Sequence, residues 1–440
     1  SLSSPDEIGV SGQATDVLVA DLFGPEGGGL DGFDDIALTI DGSPGSLYLF
    51  VNDGNGGISL QTTYPTGNGP TALTAGDMND DGIQDIIVTN GLDDTVQYWI
   101  NPDADATTLT PQAPIPTGSM PYDLIAFDID SDTDDDIVVT CAGNGLPDQA
   151  TGLYYGVVQF FQSDGSRNRA LTPKQEIVVN NQPRGISPGE IDNPGDKQDD
   201  IIVSLGTGNQ VVRLGNPGDD SNWTIEQTID VGSRPNSIEP LPIGGSFGTV
   251  FLVANEGSDS LSVLGADDNG DLGVIASIDV EATPIGMTTV DMDGDSDRDL
   301  AMLVRGNLGN DIRVYRNDTD TSSDSGILLA LDDVLMDSGL PILISNGDTD
   351  NDGNDDLVSI TGSGPGQRHG VETLSVRRSG DIETNCPGDI DGDNVVNVID
   401  LLSLIGAWGP CENCGEDLDD NGIVNVIDLL TLIGAWGLCP

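Results

Sequence analysis

Two acidic segments near the C-terminus have the residue types and the spacing that bind a hard cation. Each is a 12-residue loop with oxygen-bearing side chains at positions 1, 3, 5, 9 and 12, and the second loop begins 28 residues after the first. Calcium takes six to eight oxygen ligands, and the backbone carbonyl at position 7 supplies one more. The predicted ligands are Asp389, Asp391, Asp393, Val395, Asn397 and Asp400 in the first loop, and Asp417, Asp419, Asn421, Ile423, Asn425 and Asp428 in the second.

Four segments of the N-terminal part repeat a shorter, nine-residue frame. Oxygen-bearing side chains stand at positions 1, 3, 5 and 9, and position 7 offers a carbonyl, so each frame is a second type of calcium site. The predicted ligands are Asp77, Asn79, Asp81, Ile83 and Asp85; Asp128, Asp130, Asp132, Asp134 and Asp136; Asp291, Asp293, Asp295, Asp297 and Asp299; and Asp348, Asp350, Asp352, Asn354 and Asp356. Two copies with insertions add the candidate ligands Asp21, Asp31 and Asp35, and Glu190, Asp192, Asp196 and Asp200. We therefore expect about four or more calcium ions here and two in the C-terminal loops.

The elements that position these loops repeat with them. Loop starts at 21, 77, 128, 190, 239, 291 and 348 define seven units, although the copy at Glu239 has lost its acids. An apolar run follows every loop, a second run follows a Gly/Asp/Asn turn, and a Pro precedes the first strand of most units, which predicts about four strands per unit. Four-stranded units repeated radially make a β-propeller. The predicted fold is mainly β, a seven-bladed β-propeller, with the segment around Ile8–Val10 pairing near Thr373–Arg377 to close the ring.

The nine-residue frame resembles a known repeat. The run Asp77-Met-Asn-Asp-Asp-Gly-Ile-Gln-Asp85-Ile and its copies are similar to the FG-GAP/VCBS-type calcium-loop propeller, which also forms the heads of integrin α-subunits. The resemblance covers about residues 10–380. Because the literal Phe-Gly…Gly-Ala-Pro signature is essentially absent, the resemblance implies the fold and the metal sites rather than an integrin-like ligand.

The C-terminal loops resemble a different family. Each runs into the same apolar stretch, Leu-Leu-Ser/Thr-Leu-Ile-Gly-Ala-Trp-Gly, and residues 386–440 thereby resemble a type I dockerin. The resemblance implies one helix after each calcium loop and docking to a cohesin or similar receptor outside a bacterial cell. The predicted domains are the propeller at 1–380, a linker at 381–385 and the dockerin-like domain at 386–440.

The expected contact residues depart from that family. Dockerins contact their receptor through loop positions 10 and 11, often Ser-Thr, and through basic residues on the helix. Here those positions are the partner-binding candidates Val398, Ile399, Val426 and Ile427, and residues 386–440 contain no Lys or Arg. An apolar contact makes another copy of this chain as plausible a partner as a cohesin-like receptor.

Cysteine usage predicts export. Cys386 and Cys414 precede the two calcium loops, and Cys411 and Cys439 follow the apolar stretches, which is the pattern of disulfides in a small secreted module. The pairing 386–411 with 414–439 and the pairing 386–439 with 411–414 both respect the repeat; the second is favoured, and the sequence leaves both open. Cys141, in an apolar run, is predicted to be a buried free thiol. We expect a secreted, extracellular or cell-surface protein numbered from its mature terminus.

Charge excludes several classes of partner. Against 75 acidic residues the 440-residue chain has only 14 Lys and Arg, for a formal net charge of −61. Nucleic acid and anionic membrane surfaces are therefore poor partners, and we expect no binding of nucleic acid, because phosphate binding needs the opposite sign. No stretch approaches the roughly 20 apolar residues of a membrane span.

Catalysis has little support in the sequence. The one histidine, His369, lies in a Gly-rich loop, no Gly-x-Ser-x-Gly elbow is present, and the patterned acids are accounted for as metal ligands. The favoured function is a non-catalytic calcium-binding protein, either an adhesin or the subunit of a head-to-tail filament. The alternative is a dockerin-anchored protein that degrades or binds an extracellular polysaccharide, for which adjacent aromatic residues such as Tyr154 and Tyr155 are a weak signal.

Overall fold

The computed structural model describes residues 6–24, 30–54, 57–129, 132–146, 154–163, 171–189, 191, 200–215, 222–244, 248–267, 270–291, 297–306, 310–317, 329–335, 340–351, 354–362, 371–378, 395–396, 398–410, 423–426, 429, 432 and 437–438. The chain forms two compact units. One is Pro5–Arg378; the other comprises Ser379–Pro440 together with Ser1–Ser4.

The larger unit consists of seven sheets. The first strand is β1 (Asp6–Ser11), and the blades follow it in chain order. Blades 1 to 3 consist of β2 (Ala14–Ala20), β3 (Asp35–Ile40), β4 (Ser46–Asn52) and β5 (Ile58–Pro65); of β6 (Pro70–Gly76), β7 (Asp85–Asn90), β8 (Thr95–Ile100), β9 (Thr110–Pro111) and β10 (Ile115–Pro116); and of β11 (Pro121–Phe127), β12 (Asp136–Cys141), β13 (Val157–Gln162) and β14 (Thr172–Val178).

Blades 4 and 5 consist of β15 (Pro183–Gly189), β16 (Asp200–Leu205), β17 (Gln210–Gly215) and β18 (Thr224–Asp230), and of β19 (Pro235–Gly244), β20 (Gly248–Asn255), β21 (Ser260–Ala266) and β22 (Leu272–Asp279). Blade 6 consists of β23 (Thr283–Val290), β24 (Asp299–Arg305), β25 (Asn310–Asn317) and β26 (Leu329–Leu335). Blade 7 contains β27 (Leu340–Gly347), β28 (Asp356–Gly362) and β29 (Val371–Arg377).

The sheets form a closed ring around an axis. The first strand of each blade contacts the first strand of the next, and β27 of blade 7 contacts β2 of blade 1. Every sheet is antiparallel, and β9 and β10 together form the outer strand of blade 2. The seven-bladed β-propeller predicted from the sequence is confirmed.

The apolar run after each loop becomes the second strand of a blade. In β3, β7, β12 and β16 every residue is buried, because this strand lies between the neighbouring blades on both of its faces. The cores therefore lie between blades, as in the cluster that joins Ile36 and Leu38 to Ile360 and Leu374. A strand covered on both faces is apolar at consecutive positions rather than alternate ones.

The N-terminal strand completes the last blade. β1 pairs antiparallel with β29, with Ile8 opposite Leu374 and Val10 opposite Glu372. A side-chain bond adds to the seam, since the Ala14 N–H donates to Glu372 Oε2 at 2.7 Å. The predicted ring closure is confirmed in its partners and its position.

The outer strands share an irregularity. In blades 1, 3, 4, 5 and 6 the pairing of the third with the fourth strand shifts by one residue, which leaves one unpaired outer-strand residue per blade: Gln61, Lys174, Glu226, Ile275 and Asp332. A β-bulge of this kind bends an edge strand and makes it a poor template for a further strand.

The smaller unit is described in part. Its elements are β30 (Val395–Val396), α1 (Val398–Gly406), β31 (Gly409–Pro410), β32 (Ile423–Val424) and β33 (Gly437–Leu438). β30 pairs with β33 and β31 with β32, so a shift of 28 residues converts one pairing into the other. α1 lies where the first helix was expected, and residues 426, 429 and 432 of the second copy are helical. The paired loop–helix domain remains a prediction.

The sequence predicts a free cysteine in the larger unit and disulfide-forming cysteines in the smaller unit. Cys141 is buried and its thiol is free, as expected. Burial raises the pKa of this thiol to about 12, so it is not a reactive thiolate at neutral pH. The predicted disulfide residues Cys386, Cys411, Cys414 and Cys439 lie outside the described residues.

The pairing of β1 with β29 leads to a prediction about stability. Val10 is buried in the core between blades 7 and 1. Val10→Ala should reduce the free energy of unfolding by about 1–3 kcal/mol, because it removes buried methyl groups and leaves a cavity. Urea unfolding followed by tryptophan fluorescence measures this, with Glu7→Ala on the exposed side of the same strand as the control. Equal midpoints for the two variants would contradict this account of the seam.

Candidate functional site

The loop from Asp77 to Asp85 is described in full and curls around its first carboxylate. Asp77 Oδ1 accepts the N–H groups of Asn79 at 3.3 Å and Asp81 at 3.1 Å, and Asp77 Oδ2 accepts that of Gly82 at 2.7 Å. Positions 4 and 6 have left-handed backbone, with φ of 54° at Asp80 and 81° at Gly82. Gly, Asn and Asp adopt this conformation most readily, which explains the residue types of the loop.

Other blades repeat this geometry. In blade 3 the N–H groups of Asp132 and Thr133 donate to Asp128 at 3.2 and 3.1 Å, and Thr133 has a φ of 90°. In blade 7, ligand oxygens of Asp348, Asp350 and Asp356 all lie within 4.8 Å of one another. Their set of carboxylate oxygens fits calcium, which prefers such donors in flexible geometry.

Several predicted ligands cannot be placed. Asp130, Asp293, Asp295, Asp352, Glu190, Asp192 and Asp196 in the propeller lie outside the described residues, as do Asp389, Asp391, Asp393, Asn397, Asp417, Asp419, Asn421 and Asp428 in the smaller unit. The ends of the blade 6 loop, Asp291, Asp297 and Asp299, are described, as are Asp134 and Asp136 in blade 3 and Asn354 in blade 7. In the smaller unit the side chain of Asn425 donates to the carbonyl of Ile423 at 2.8 Å.

Blade 1 brings its candidate ligands together across an insertion. Asp21 Oδ2 accepts the N–H of Gly32 at 3.1 Å, and Asp31 Oδ1 accepts that of Phe33 at 3.2 Å. Burial, and then the nearby charge of Asp31, raise the pKa of Asp21. The insertion thus returns Asp31 to the vicinity of Asp21.

The carboxylate at position 9 has a structural role that the sequence reasoning missed. Asp85 is fully buried; its Oδ2 accepts the Met78 N–H at 3.1 Å, and its Oδ1 accepts the Asn101 N–H at 2.7 Å. It therefore ties the loop to the end of the third strand. Asp35 and Asp136 make the same two kinds of bond. Among the described residues, the bond to the end of the third strand recurs at Asp299 and the bond to the loop recurs at Asp356.

Blade 4 departs from this pattern. Asp200 Oδ2 lies 2.6 Å from Nη2 and 3.0 Å from Nε of Arg213, and both side chains are buried. A guanidinium thus supplies the positive charge beside this carboxylate. Whether Asp200 also binds calcium, as a candidate ligand, stays a prediction.

A polar residue at the end of the third strand, or directly after it, links neighbouring blades. Asn101 Nδ2 of blade 2 donates to the Leu22 carbonyl of blade 1 at 2.7 Å, and Asn52 Nδ2 of blade 1 donates to the Thr349 carbonyl of blade 7 at 2.6 Å. Ser163 Oγ of blade 3 donates to the Met78 carbonyl of blade 2 at 3.1 Å. The sequence contains a signal for these hydrogen bonds between blades. An aromatic residue stands two positions before each donor, at Phe50, Trp99 and Phe161.

Three carboxyl groups face the axis of the ring. Asp16, Asp123 and Glu239 lie on the first strands of blades 1, 3 and 5, and the charge of Asp123 acts on both of the others. Side chains from blades that are not neighbours approach one another only across the axis. Burial is the main cause that raises the pKa of Asp16 to about 7, that of Asp123 to about 6 and that of Glu239 to about 8.

In the smaller unit apolar side chains divide between core and surface. Leu404, Val424 and Leu432 are fully buried, whereas Leu402, Ile405, Trp408 and Val426 are exposed. Val426, one of the four partner-binding candidates, has 56% of its surface exposed. The side chains of Val398, Ile399 and Ile427 lie outside the described residues.

The fold and its loops define a seven-bladed β-propeller that carries FG-GAP-like repeats. Residues 30–88 and 77–139 match the sequence profile described as "FG-GAP-like repeat". No match was found among curated proteins.

A solved structure with a TM-score above 0.5 shares the fold. The crystal structure titled BBS1N in complex with ARL6DN, soaked with lead, is 15% identical, has a TM-score of 0.55, and covers 87% of this chain and 98% of that chain. Weaker likenesses are a functionally unknown protein from Desulfotomaculum acetoxidans (12% identity, TM-score 0.46, 73% of this chain and 90% of that chain) and a protein from Lactobacillus plantarum (14%, 0.48, 74% and 90%). At 15% identity the likeness to the first of these structures concerns the fold alone.

The carboxylates at position 9 lead to a test that distinguishes a structural role of a loop carboxylate from a calcium-binding role. Without calcium, Asp85→Ala should reduce the free energy of unfolding by about 2–4 kcal/mol, because buried N–H groups lose their acceptor. Asp81→Ala, at an exposed position, should leave that value nearly unchanged in chelator and reduce only the stabilisation gained on adding calcium. Denaturant titrations with chelator and with calcium measure both quantities. Equal losses for the two variants in chelator would refute the scaffold role.

Glu239 generates a prediction of pH dependence. Its pKa is about 8 in the folded protein and 4.5 ordinarily, so between these values the folded state holds a proton that the unfolded chain has released. The free energy of unfolding contributed by this group therefore falls as pH rises through that window. Glu239→Gln, which resembles the protonated form, should flatten the decline between pH 6 and 8 by roughly 1–3 kcal/mol. Melting temperatures at fixed calcium measure this, and parallel pH profiles for wild type and variant would contradict the assignment.

Proposed function

We propose that this chain is a non-catalytic, secreted, calcium-binding structural or adhesion protein whose residues 386–440 mediate calcium-dependent assembly with a protein partner. The observation that carries the proposal is the carboxylate-centred loop of blade 2, whose hydrogen bonds recur at Asp128 and whose acidic cluster recurs at Asp348. A propeller with FG-GAP-like repeats is the expected scaffold for an extracellular binding protein rather than for an enzyme.

Calcium would act as a rigidifying ion in these loops. Asp77, Asp128 and Asp348, with the other loop ligands, would hold it, and the ion would offset the mutual repulsion of clustered carboxylates. The loops join the first strand of a blade to its second. A loop fixed by calcium would therefore hold both strands of its blade and its contact with the neighbouring blade in place. Such a contact exists between blades 2 and 3, where the Asp77 N–H donates to Asp135 Oδ2 at 2.8 Å and the Asp135 N–H donates to the Asp77 carbonyl at 2.9 Å.

The C-terminal unit is the proposed docking element. Support comes from its two strand pairings, which the internal repeat relates to each other, and from the exposed apolar side chains beside them. The partner would be a cohesin-like receptor or another copy of the chain. No helix in the described part of the chain is long and apolar enough to cross a membrane.

An anchored polysaccharide-binding or polysaccharide-degrading protein is the second candidate. Tyr122 and Tyr155 favour it, because both side chains of blade 3 are exposed. A calcium-loaded monomer that binds or cleaves a polysaccharide would favour this candidate over the first.

Calcium removal tests the main proposal. Saturating calcium should raise the melting temperature, since a site filled at about 100 times its dissociation constant adds about 2.7 kcal/mol. Equilibrium dialysis of the full chain gives the number of ions bound. The double variant Asp389→Ala/Asp417→Ala should bind two fewer ions while the propeller transition is unchanged. An unchanged melting temperature in chelator, with no calcium bound, would refute the proposal.

A further inference from the structure

The sequence contains two copies of the tripeptide Asn-x-Ser/Thr in which x is not Pro. They are Asn222-Trp223-Thr224 and Asn317-Asp318-Thr319. This tripeptide is the acceptor of N-linked oligosaccharides in exported proteins, where it lies on surface loops. Because a three-residue pattern also arises often by chance, the position of each copy in the fold decides whether it can be modified.

The first copy lies at an outer edge of the propeller. It ends the connection between β17 and β18, the third and fourth strands of blade 4. In the described part of the chain no further strand pairs with β18, which is therefore the edge strand of its sheet. Asn222 and Thr224 are both exposed, and Thr224 begins β18 opposite Gly215. The carboxamide that would be modified and the hydroxyl that a transferase recognises are therefore both accessible from solvent.

The middle residue of this copy anchors it to blade 3. Trp223 is buried and stacks on Phe160 with the ring centres 5.2 Å apart, and the Phe127 ring stands nearly perpendicular to it at 6.5 Å. The backbone is held as well, since the Trp223 N–H donates to Gln175 Oε1 at 2.9 Å and the Trp223 carbonyl accepts Gln175 Nε2 at 2.7 Å. The central residue thus fixes the tripeptide to the propeller, while the residues on either side of it stay outside the core.

The second copy has the opposite environment. Asn317 ends β25 and is only 1% exposed. Its N–H donates to Asp299 Oδ1 at 2.7 Å, and its Nδ2 donates to the Arg298 carbonyl at 3.1 Å. Asn101 makes the same two kinds of bond in blade 2. The Asn317 carboxamide is thus part of the scaffold, and its nitrogen is closed to a transferase that acts on the folded chain.

We propose that Asn222 is a modification site that carries an N-linked oligosaccharide, whereas Asn317 stays unmodified. The modification requires export of the chain and therefore rests on that part of the proposed function. An oligosaccharide is bulky and strongly hydrated, so it would add solubility at the exposed outer strand of blade 4. It would also obstruct the addition of a strand from another molecule beside β18.

The transfer is a substitution at the anomeric carbon of the sugar. The donor is an oligosaccharide joined to a polyprenyl pyrophosphate, and a separate transferase catalyses the step. Nδ2 of Asn222 forms a bond to the anomeric carbon, and the bond between that carbon and the pyrophosphate oxygen breaks. The lipid pyrophosphate leaves with the electron pair of that bond and takes up the proton that Nδ2 loses. Because the lone pair of an amide nitrogen is delocalised into the carbonyl, the step needs the transferase, which recognises the Thr224 hydroxyl.

Peptide mass spectrometry tests the site on the full chain, purified from the medium of the cells that produce it. Cleavage with trypsin and a glutamate-specific protease isolates Asn222 in the peptide 214–226, which contains no other Asn-x-Ser/Thr. This peptide should carry the mass of an oligosaccharide, with fragment ions that place it on Asn222. The tryptic peptide that begins with Asn317 should have its unmodified mass and serves as the internal control.

Two substitutions at the hydroxyl position form a matched pair. Thr224→Val replaces only the hydroxyl by a methyl group and should abolish the modification although Asn222 is still present. Thr224→Ser keeps the hydroxyl and should retain the oligosaccharide. Asn222→Gln should remove it. Because both positions are exposed, all three variants should fold like wild type, which circular dichroism at the same calcium concentration measures.

Three outcomes would overturn the assignment. These are an unmodified peptide 214–226 in the exported chain, an oligosaccharide that persists in Thr224→Val or Asn222→Gln, and an oligosaccharide on Asn317. An exported, unmodified chain that binds calcium and is stabilised by it would reject the modification while leaving the proposed function in place. An unmodified chain found only inside the cells would reject the export that both require.

Discussion

A buried carboxylate at the start of the second strand holds each regular blade together. In blade 2, Asp85 accepts N–H groups from the loop before it and from the end of the third strand, and Asn101 then reaches the neighbouring blade. Hydrogen bonds to an ionised acceptor are among the stronger ones in proteins, and a buried charge without such partners is costly. Loop, blade and ring are therefore one connected network.

The same network explains why so acidic a chain can fold compactly. Part of the acid content is placed where backbone N–H groups, or Arg213 in blade 4, satisfy it. Another part lies in loops whose spacing fits a divalent ion, and the carboxyls at the axis hold protons at higher pH than usual. The acidic residues of this chain thus have at least three distinct environments. The net charge of the chain alone does not distinguish them.

Much of the fold was predictable from the sequence, because apolar runs and turn residues recur in register with the acidic frames. The seven units, the second and third strands and the pairing of Ile8–Val10 with β29 follow from that repetition. The double role of Asp85 did not follow, because an Asp that accepts two N–H groups and an Asp that binds calcium occupy the same position in the pattern. The partner of Asp200 was not predictable either. Arg213 lies on a different strand, and the spacing of residues within a segment does not indicate an ion pair between two strands.

The exposed apolar residues of blades 2 and 3 were beyond sequence reasoning for a related reason. Leu92, Met120, Tyr122 and Leu146 have no periodicity, and only the antiparallel path of the strands brings a turn of blade 2 beside the start of blade 3. The exposed apolar residues of the C-terminal unit were closer to prediction, since a short duplicated module cannot bury all of its Leu, Ile and Trp side chains.

The strand β1 has a consequence for how the molecule forms. Its partners lie near the far end of the propeller sequence, and the bond from Ala14 to Glu372 joins residues 358 positions apart. Contacts of such long sequence separation form late and slow the folding of β-rich chains. The ring is therefore expected to close last, after blades with local pairings have formed. Until that moment the outer edge of β29 is open to strands of other molecules, so the period before closure is when this chain is most prone to domain swapping.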